Sequence, residues 1–165
     1  MIEQGNNSFN FYGEFTCKVD AKSRVRLPGE MVDQLKVIDN QMFIMNRGED
    51  GQIVLFPKPV WDAQLSKLRE LNRFDSKARE FTRLFMRGVS TVKLDAGNRL
   101  LIPKKLVDYA GITKEISILA LFDQFEIWDT ARYEQSVVNR TQEDFQQLSQ
   151  EVMVEKQPND NNSNE

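Results

Sequence analysis

Two acid–base pairs of identical spacing offer the clearest chemistry in the chain: Asp20 with Arg24, and Asp95 with Arg99. In D-x-x-x-R across a turn, the carboxylate can accept hydrogen bonds from turn amides or pair with the guanidinium and fix its direction. The arginine then projects, and its planar fork can grip a phosphate or the edge of guanine with two donors. A single such pair would be no more than a solvated turn worth about 0–1 kcal/mol. Two in one frame, with Lys22 and Arg26 beside the first, read instead as a phosphate- and base-reading surface. No aromatic residue interleaves these bases, so a duplex groove fits better than a platform for stacking single strands.

Other chemistries find few residues to use. The 165 residues include no histidine and one cysteine, Cys17. That removes His-dependent triads, imidazole acid–base catalysis, zinc held by His or clustered Cys, and an internal disulfide. Neither G-x-x-x-x-G-K-[ST] nor G-x-G-x-x-G occurs, so no nucleotide pocket has an anchor. Glu49-Asp50, Glu143-Asp144 and Asp123 with Glu126 could be imagined as catalytic pairs, but acids in turns or on helix faces are usually solvated. The expectation is a protein with no enzymatic activity, cofactor, metal or small-molecule substrate.

The net charge of −3 hides an uneven distribution. From Thr141 onward six acids (Glu143, Asp144, Glu151, Glu155, Asp160, Glu165) face one base (Lys156), leaving −5 there and +2 in residues 1–140. Lys18 to Arg26 holds four bases against Asp20, and Arg87 to Lys105 holds five against Asp95. No apolar run approaches the roughly 20 residues that span a bilayer, and Met1 to Asn7 does not read as a secretory signal. A reducing cytoplasm is expected, at the nucleoid if the ligand is DNA.

The two basic segments are copies of one another. Lys18-Val19-Asp20-Ala21-Lys22-Ser23-Arg24-Val25-Arg26-Leu27-Pro28 aligns without gaps on Lys93-Leu94-Asp95-Ala96-Gly97-Asn98-Arg99-Leu100-Leu101-Ile102-Pro103, giving K-[VL]-D-A-x-x-R-[VL]-x-[LI]-P. Gln52 to Pro57 matches Gln124 to Asp129 more weakly, and Trp61 matches Tyr133. Two copies at so long a period mean a duplicated subdomain and not a solenoid. Each copy reads as a strand, tight turn and strand, then a short helix, then a hairpin. The hairpin strands are expected at 41–45 with 52–56 and at 116–121 with 124–128. Pro103 suits the first helical position and Gly111 a helix C-terminus. Lys22 and Arg26 have Gly97 and Leu101 as counterparts, so the weaker field is expected around Arg99.

Between and after the copies the spacing is helical. Pro59, Trp61, Leu65, Leu68 and Leu71 form one stripe, and Ala78, Phe81, Leu84 and Phe85 another after a break at Asn72 to Asp75, which predicts linker helices with one buried face. Arg79, Arg83 and Arg87 lie along one side of the second helix, as a solvated face or as a contact with another subunit or DNA backbone. A last helix starts near Asp129 or Thr130 and carries Tyr133, Val137, Phe145, Leu148 and Val152. Phe11, Tyr12 and Phe15 are expected as strand core. The resulting organisation is a first module at 12–57, a helical linker at 58–88, a second module at 89–133, a C-terminal helix at 134–156 and a disordered tail at 157–165, with the Asn-rich start through Ser8 disordered as well.

The tandem frames from Val19 to Pro28 and Leu94 to Pro103, with Arg83-Leu84-Phe85, Tyr109-Ala110-Gly111-Ile112 and Phe125-Glu126-Ile127-Trp128, resemble the bacterial MraZ family from about Tyr12 to Tyr133. The resemblance implies a mainly β, α+β fold: a double-split, swapped-hairpin β-barrel of AbrB/MazE/MraZ type, formed by two repeats pairing within one chain, plus linker and C-terminal helices. It implies a transcriptional regulator that assembles into a ring-shaped homo-oligomer on promoter repeats upstream of the cell-division and cell-wall gene cluster. Carried onto this chain, the double-stranded DNA contacts fall on Arg24 and Arg99, with Lys22 and Arg26 beside them and Asp20 and Asp95 orienting the turns. An antitoxin-like interaction module of AbrB/MazE type is the alternative, and a carboxylate enzyme a weaker one. The family usually has Gly before the motif arginine, where this chain has Ser23 and Asn98, so the first turn is expected to differ slightly in shape.

Overall fold

A computed structural model describes residues 8–154. The expected disorder at 157–165, and at the start up to Asn7, falls on residues outside those described; Ser8, the last residue of that start, is described and exposed. The chain divides into two compact units, one through Thr130 and one from Ala131.

The first unit repeats its elements in order. The first copy supplies β1 (Phe11–Lys18), β2 (Arg24–Arg26), α1 (Gly29–Leu35), β3 (Met42–Arg47) and β4 (Ile53–Pro57). Two helices follow, α2 (Lys58–Arg69) and α3 (Ser76–Met86). The second copy supplies β5 (Ser90–Lys93), β6 (Arg99–Leu101), α4 (Lys104–Ala110), β7 (Glu115–Phe122) and β8 (Gln124–Asp129). Pro28 and Pro103 stand just before α1 and α4, with φ −61° and −57°. Pro103 therefore takes the capping position, one residue earlier than expected. Gly111 ends α4 in the left-handed conformation, φ 64°, which a residue without Cβ adopts freely.

The copies do not fold side by side; they interleave. Six strands form one antiparallel sheet in the order β1-β7-β8-β4-β3-β5, and β2 pairs with β6 as a separate two-stranded ribbon. Four of the strand pairings, β1–β7, β2–β6, β3–β5 and β4–β8, join one copy to the other. This is the mixed α+β, swapped-hairpin arrangement, with β1 and β5 as the free edges of an open ladder. The ribbon is tied to the sheet by the Val19–Val25 bridge and by Val19 N–H donating to Lys114 O at 2.9 Å.

Alternation along the strands explains the core. Phe11, Phe15 and Cys17 point inward from β1, while Tyr12 is 76 % exposed, against the expectation that it would join them. Inward residues of both copies, among them Val25, Phe43, Leu55, Leu100, Ile118 and Phe125, make one continuous core under α1 and α4. The Cys17 thiol is pushed up to about 11 by burial, with Glu115 adding to the effect, so it is an inert core group.

A smaller cluster of Ile44, Val54, Phe56, Val60 and Trp61 seats α2 on the sheet's other face. Trp61 stacks on Phe85 with centroids 5.7 Å apart, and Asn46 Nδ2 donates to Phe85 O at 2.7 Å, which fixes the end of α3. Beyond those anchors the linker helices differ from expectation. Only Val60 and Trp61 of α2 are buried, and no residue of α3 is.

In the second unit, one continuous C-terminal helix was the expectation and two pieces are found. Four helical residues (α5, Thr130–Tyr133) lead into a π-helical stretch at Glu134–Val138, the chain breaks, and α6 begins afresh over Gln142–Val154. The restart is a reciprocal cap: Asp144 N–H donates to Thr141 Oγ1 at 3.1 Å and Thr141 N–H to Asp144 Oδ2 at 2.9 Å. No described helix is long and apolar enough to cross a membrane.

The β3–β4 loop joins the copies through a buried amide. Gln52, 4 % exposed, accepts from Asp50 N–H at 2.9 Å and donates to Glu126 Oε1 at 3.1 Å. A Cβ at Gly48 would lie 2.3 Å from Gln52 Cδ. Gly48→Ala is therefore expected to displace that amide from both partners and lower unfolding stability by about 1–3 kcal/mol. Urea denaturation of the two proteins measures it, and an unchanged midpoint would show that Gln52 relocates without loss.

Candidate nucleic-acid interface

The β2–β6 ribbon decides where the motif arginines stand. Its register pairs Arg24 with Leu101, Val25 with Leu100 and Arg26 with Arg99. Side chains alternate across a strand, so the central pair and the flanking residues face opposite ways. Val25 is 0 % and Leu100 1 % exposed. Their burial, worth about 1.5–3 kcal/mol per side chain, clamps the ribbon to the core. Arg24, Arg26, Arg99 and Leu101 are thereby left together on the outer face.

An approximate dyad passes through the Val25–Leu100 pair. Leu27 N–H donates to Asn98 O at 3.0 Å and Ile102 N–H to Ser23 O at 2.9 Å, so each strand is extended against the opposite turn. The two D-x-x-x-R turns thus lie at opposite ends of the ribbon.

Each turn is organised by its aspartate. Asp20 Oδ1 accepts from the backbone N–H of Lys22 and Arg24 at 2.8 and 2.9 Å, and Oδ2 from Arg24 Nε at 2.8 Å. Asp95 repeats this with Gly97 N–H, Arg99 N–H and Arg99 Nε, all at 2.9 Å. In both pairs the aspartate takes Nε. Among the described residues the Nη groups of Arg24 and Arg99 make no hydrogen bond, so the two-donor edge of each guanidinium stays available for a ligand.

The first turn does not differ in shape from the second. Ser23 and Asn98 both take left-handed conformations, φ 61° and 57°. Ser23 N–H donates to Asp20 O, and Asn98 N–H to Asp95 O, each at 3.0 Å. The aspartate bonds hold Ser23 in a conformation that Ser adopts less readily than Asn.

The register also revises the field around Arg99. Arg26 lies directly across the ribbon from Arg99, a placement in which like charges repel. Arg26 has no ion pair among the described residues. Arg24 and Arg99 are diagonal neighbours, about 7–8 Å apart. The three arginines share one face of the ribbon, and Arg26, a neighbour of both motif arginines, adds its charge across the ribbon from Arg99. Lys22 sits exposed in the first turn beside the cluster. Leu101, 55 % exposed, shares the face and is a residue that sequence reasoning missed; only the ribbon's alternation reveals it.

The Arg24 N–H, more than any other group, holds the Asp20 carboxyl below the ordinary carboxylate range, with Lys22 N–H and the guanidinium assisting; Arg99 and Gly97 act likewise on Asp95. A carboxylate lowered on folding stabilises the turn fully above the ordinary carboxylate range and loses its effect as pH falls through and below it. Backbone amide shifts of Lys22, Arg24, Gly97 and Arg99 are therefore expected to hold steady from pH 7 to 5 and to move together only in stronger acid. Movement near pH 6 would contradict that account. At Ser23, replacement by Gly relieves the left-handed strain and should leave stability unchanged or raise it by up to about 1 kcal/mol in thermal unfolding; a clear loss would mean that the serine side chain is itself needed.

Comparison with known proteins identifies the family. The family model "MraZ protein, putative antitoxin-like" matches twice, over residues 10–84 and 85–155. A protein of Christiangramia forsetii called transcriptional regulator MraZ is 39% identical over 145 residues, covering 87% of this chain and 93% of the relative. One of the same description from Flavobacterium psychrophilum is 38% identical over 142 residues, covering 86% and 90%. A third, from Acetivibrio thermocellus, is 35% identical over 124 residues, covering 75% and 84%. With two tandem family matches and relatives of this identity over most of its length, the chain belongs to the MraZ family.

Proposed function

We propose that this protein is a transcriptional regulator that binds double-stranded DNA sequence-specifically through the outer face of the β2–β6 ribbon. The family is one of transcriptional regulators, not of enzymes. The observation that carries the reading is the cluster of Arg24, Arg26 and Arg99 on a two-stranded ribbon whose other face is fixed in the core. A ribbon of this kind is one of the two backbone forms that the major groove of B-DNA admits. Arg24 and Arg99, held at Nε, offer paired donors to the guanine edge; Lys22 and Arg26 supply charge to phosphate; Asp20 and Asp95 hold the turns.

In this reading residues 12–57 and 89–133 are the two modules and 58–88 the linker between them. The targets are promoter repeats upstream of the cell-division and cell-wall gene cluster, met in the cytoplasm at the nucleoid. One ribbon carries few positive charges, so a ring-shaped homo-oligomer gripping successive repeats supplies affinity by raising the effective concentration at each next site.

Removal of one bidentate arginine should cost about 1–3 kcal/mol per site and relax specificity, whereas removal of a phosphate contact weakens all sequences alike. Arg24→Ala and Arg99→Ala are thus expected to bring operator affinity close to that for scrambled duplex, while Lys22→Ala lowers both and reduces the salt slope by about one. Electrophoretic mobility shift with the DNA upstream of the protein's own gene, at two salt concentrations, reads these outcomes. Arginine variants that keep the wild-type ratio of operator to scrambled binding would remove the ribbon as the reading surface.

A further inference from the structure

The helices outside the repeats leave two apolar surfaces uncovered, and the two are complementary. One is a groove of ≈ 530 Å³ between α2 and α3, with Leu65, Leu68, Leu71 and Met86 on its walls and Arg79 and Arg83 at its rim. It accounts for the linker helices' missing burial. The stretch from Leu65 to Arg87 holds seven basic residues against three acidic.

The other is α6. Its 13 residues carry Phe145, Leu148 and Val152 at i, i+3 and i+7, exposed by 67 %, 46 % and 61 %. The same helix holds Glu143, Asp144 and Glu151 and no basic residue of its own, with Asp144 paired to Arg140 just before it at 3.7 Å. A helix of this length is marginal in water unless its apolar face is covered, since helices gain most of their stability from packing that face.

We infer that α6 of one copy seats in the α2–α3 groove of a second copy. The occupant follows from chemistry: an acidic helix with one apolar stripe matches a basic-rimmed groove with apolar walls, in the helix-in-groove mode. Phe145, Leu148 and Val152 fill the groove, and Glu151, which flanks the stripe, meets the arginines at the rim. Donor and acceptor are different surfaces of the same chain, so the contact is head-to-tail, and such contacts close into rings when the rotation permits. The inference rests on the self-assembly part of the proposed function and names the surface responsible. The DNA-reading ribbon takes no part in it.

Two double variants test it. Arg83→Glu with Met86→Glu spoils the groove and leaves α6 intact; Phe145→Asp with Leu148→Asp spoils α6 and leaves the groove intact. All four positions are exposed, so far-UV circular dichroism should stay at wild type. In light scattering coupled to size exclusion, wild type is expected as a multi-chain species and each variant as single chains. An equimolar mixture should give a two-chain species, because one variant retains a groove and the other a helix, and that dimer has no further free joint. Variants that keep the wild-type mass would overturn the inference while leaving the ring reading intact. Variants that dissociate but fail to pair on mixing would overturn the trans contact. Single-chain wild type would overturn both the inference and the assembly on which it rests.

Discussion

Burial of Val25 and Leu100 is the constraint on which the arrangement of this molecule's charge depends. The ribbon is three residues long on each strand, too short to hold a register by its own hydrogen bonds. Side chains alternate with period two, so a slip of one residue would turn arginines toward the core and the apolar pair toward water. Burying an unpaired guanidinium is far costlier than any gain available there. The core thus fixes the register, and the register fixes which arginines are neighbours. Leu27 and Ile102, both buried, extend the clamp to the points where Pro28 and Pro103 start the helices.

Much of this was legible from sequence because duplication wrote it twice. The shared frame located both turns, the alternation of Val25 and Leu27 exposed the strand, and the matching hairpins came within a residue or two of their bounds. What could not be read was how the copies meet. Nothing in the spacing of Arg26 indicates that it stands across from Arg99, 73 residues away in the chain but directly opposite in the ribbon. Tyr12 was misplaced for a simpler reason, since an aromatic type outweighed its position on the outward phase of β1. The break before α6 had a visible signal in Thr141-Gln142-Glu143-Asp144, a threonine followed three residues later by an acid, overridden by an apolar stripe that continues across it. The bare face of α3 had no signal at all, because its pattern is the same whether a helix packs within its own chain or against something else.

The ribbon is symmetric in backbone and asymmetric in chemistry. The turns share their hydrogen bonds and their left-handed residue, yet Lys22 faces a counterpart in Gly97, and Arg26 one in Leu101. A dimer of identical modules would present the same charges at both ends. Fusion of the copies allowed each end to diverge while the shared core kept the frame, so this ribbon has a direction along whatever it lies upon.

The interleaving of the copies has a consequence for synthesis. β1 pairs along its whole length with β7, Phe11 against Phe122 and Lys18 against Glu115. With translation at about 5–20 residues per second, β1 emerges from the ribosome roughly 5–20 seconds before the strand it must join. During that interval the apolar side chains of Phe11, Phe15 and Cys17 have no finished sheet to enter. The free β1 edge is then open to any other strand, including β1 of a neighbouring nascent chain. Gly13, at φ 122°, and exposed Glu14 and Lys18 interrupt that edge with a kink and charges. These are features that discourage strands from pairing with the wrong partner. A fold in which the first strand waits for the seventh therefore places part of its protection against aggregation in the strand that waits.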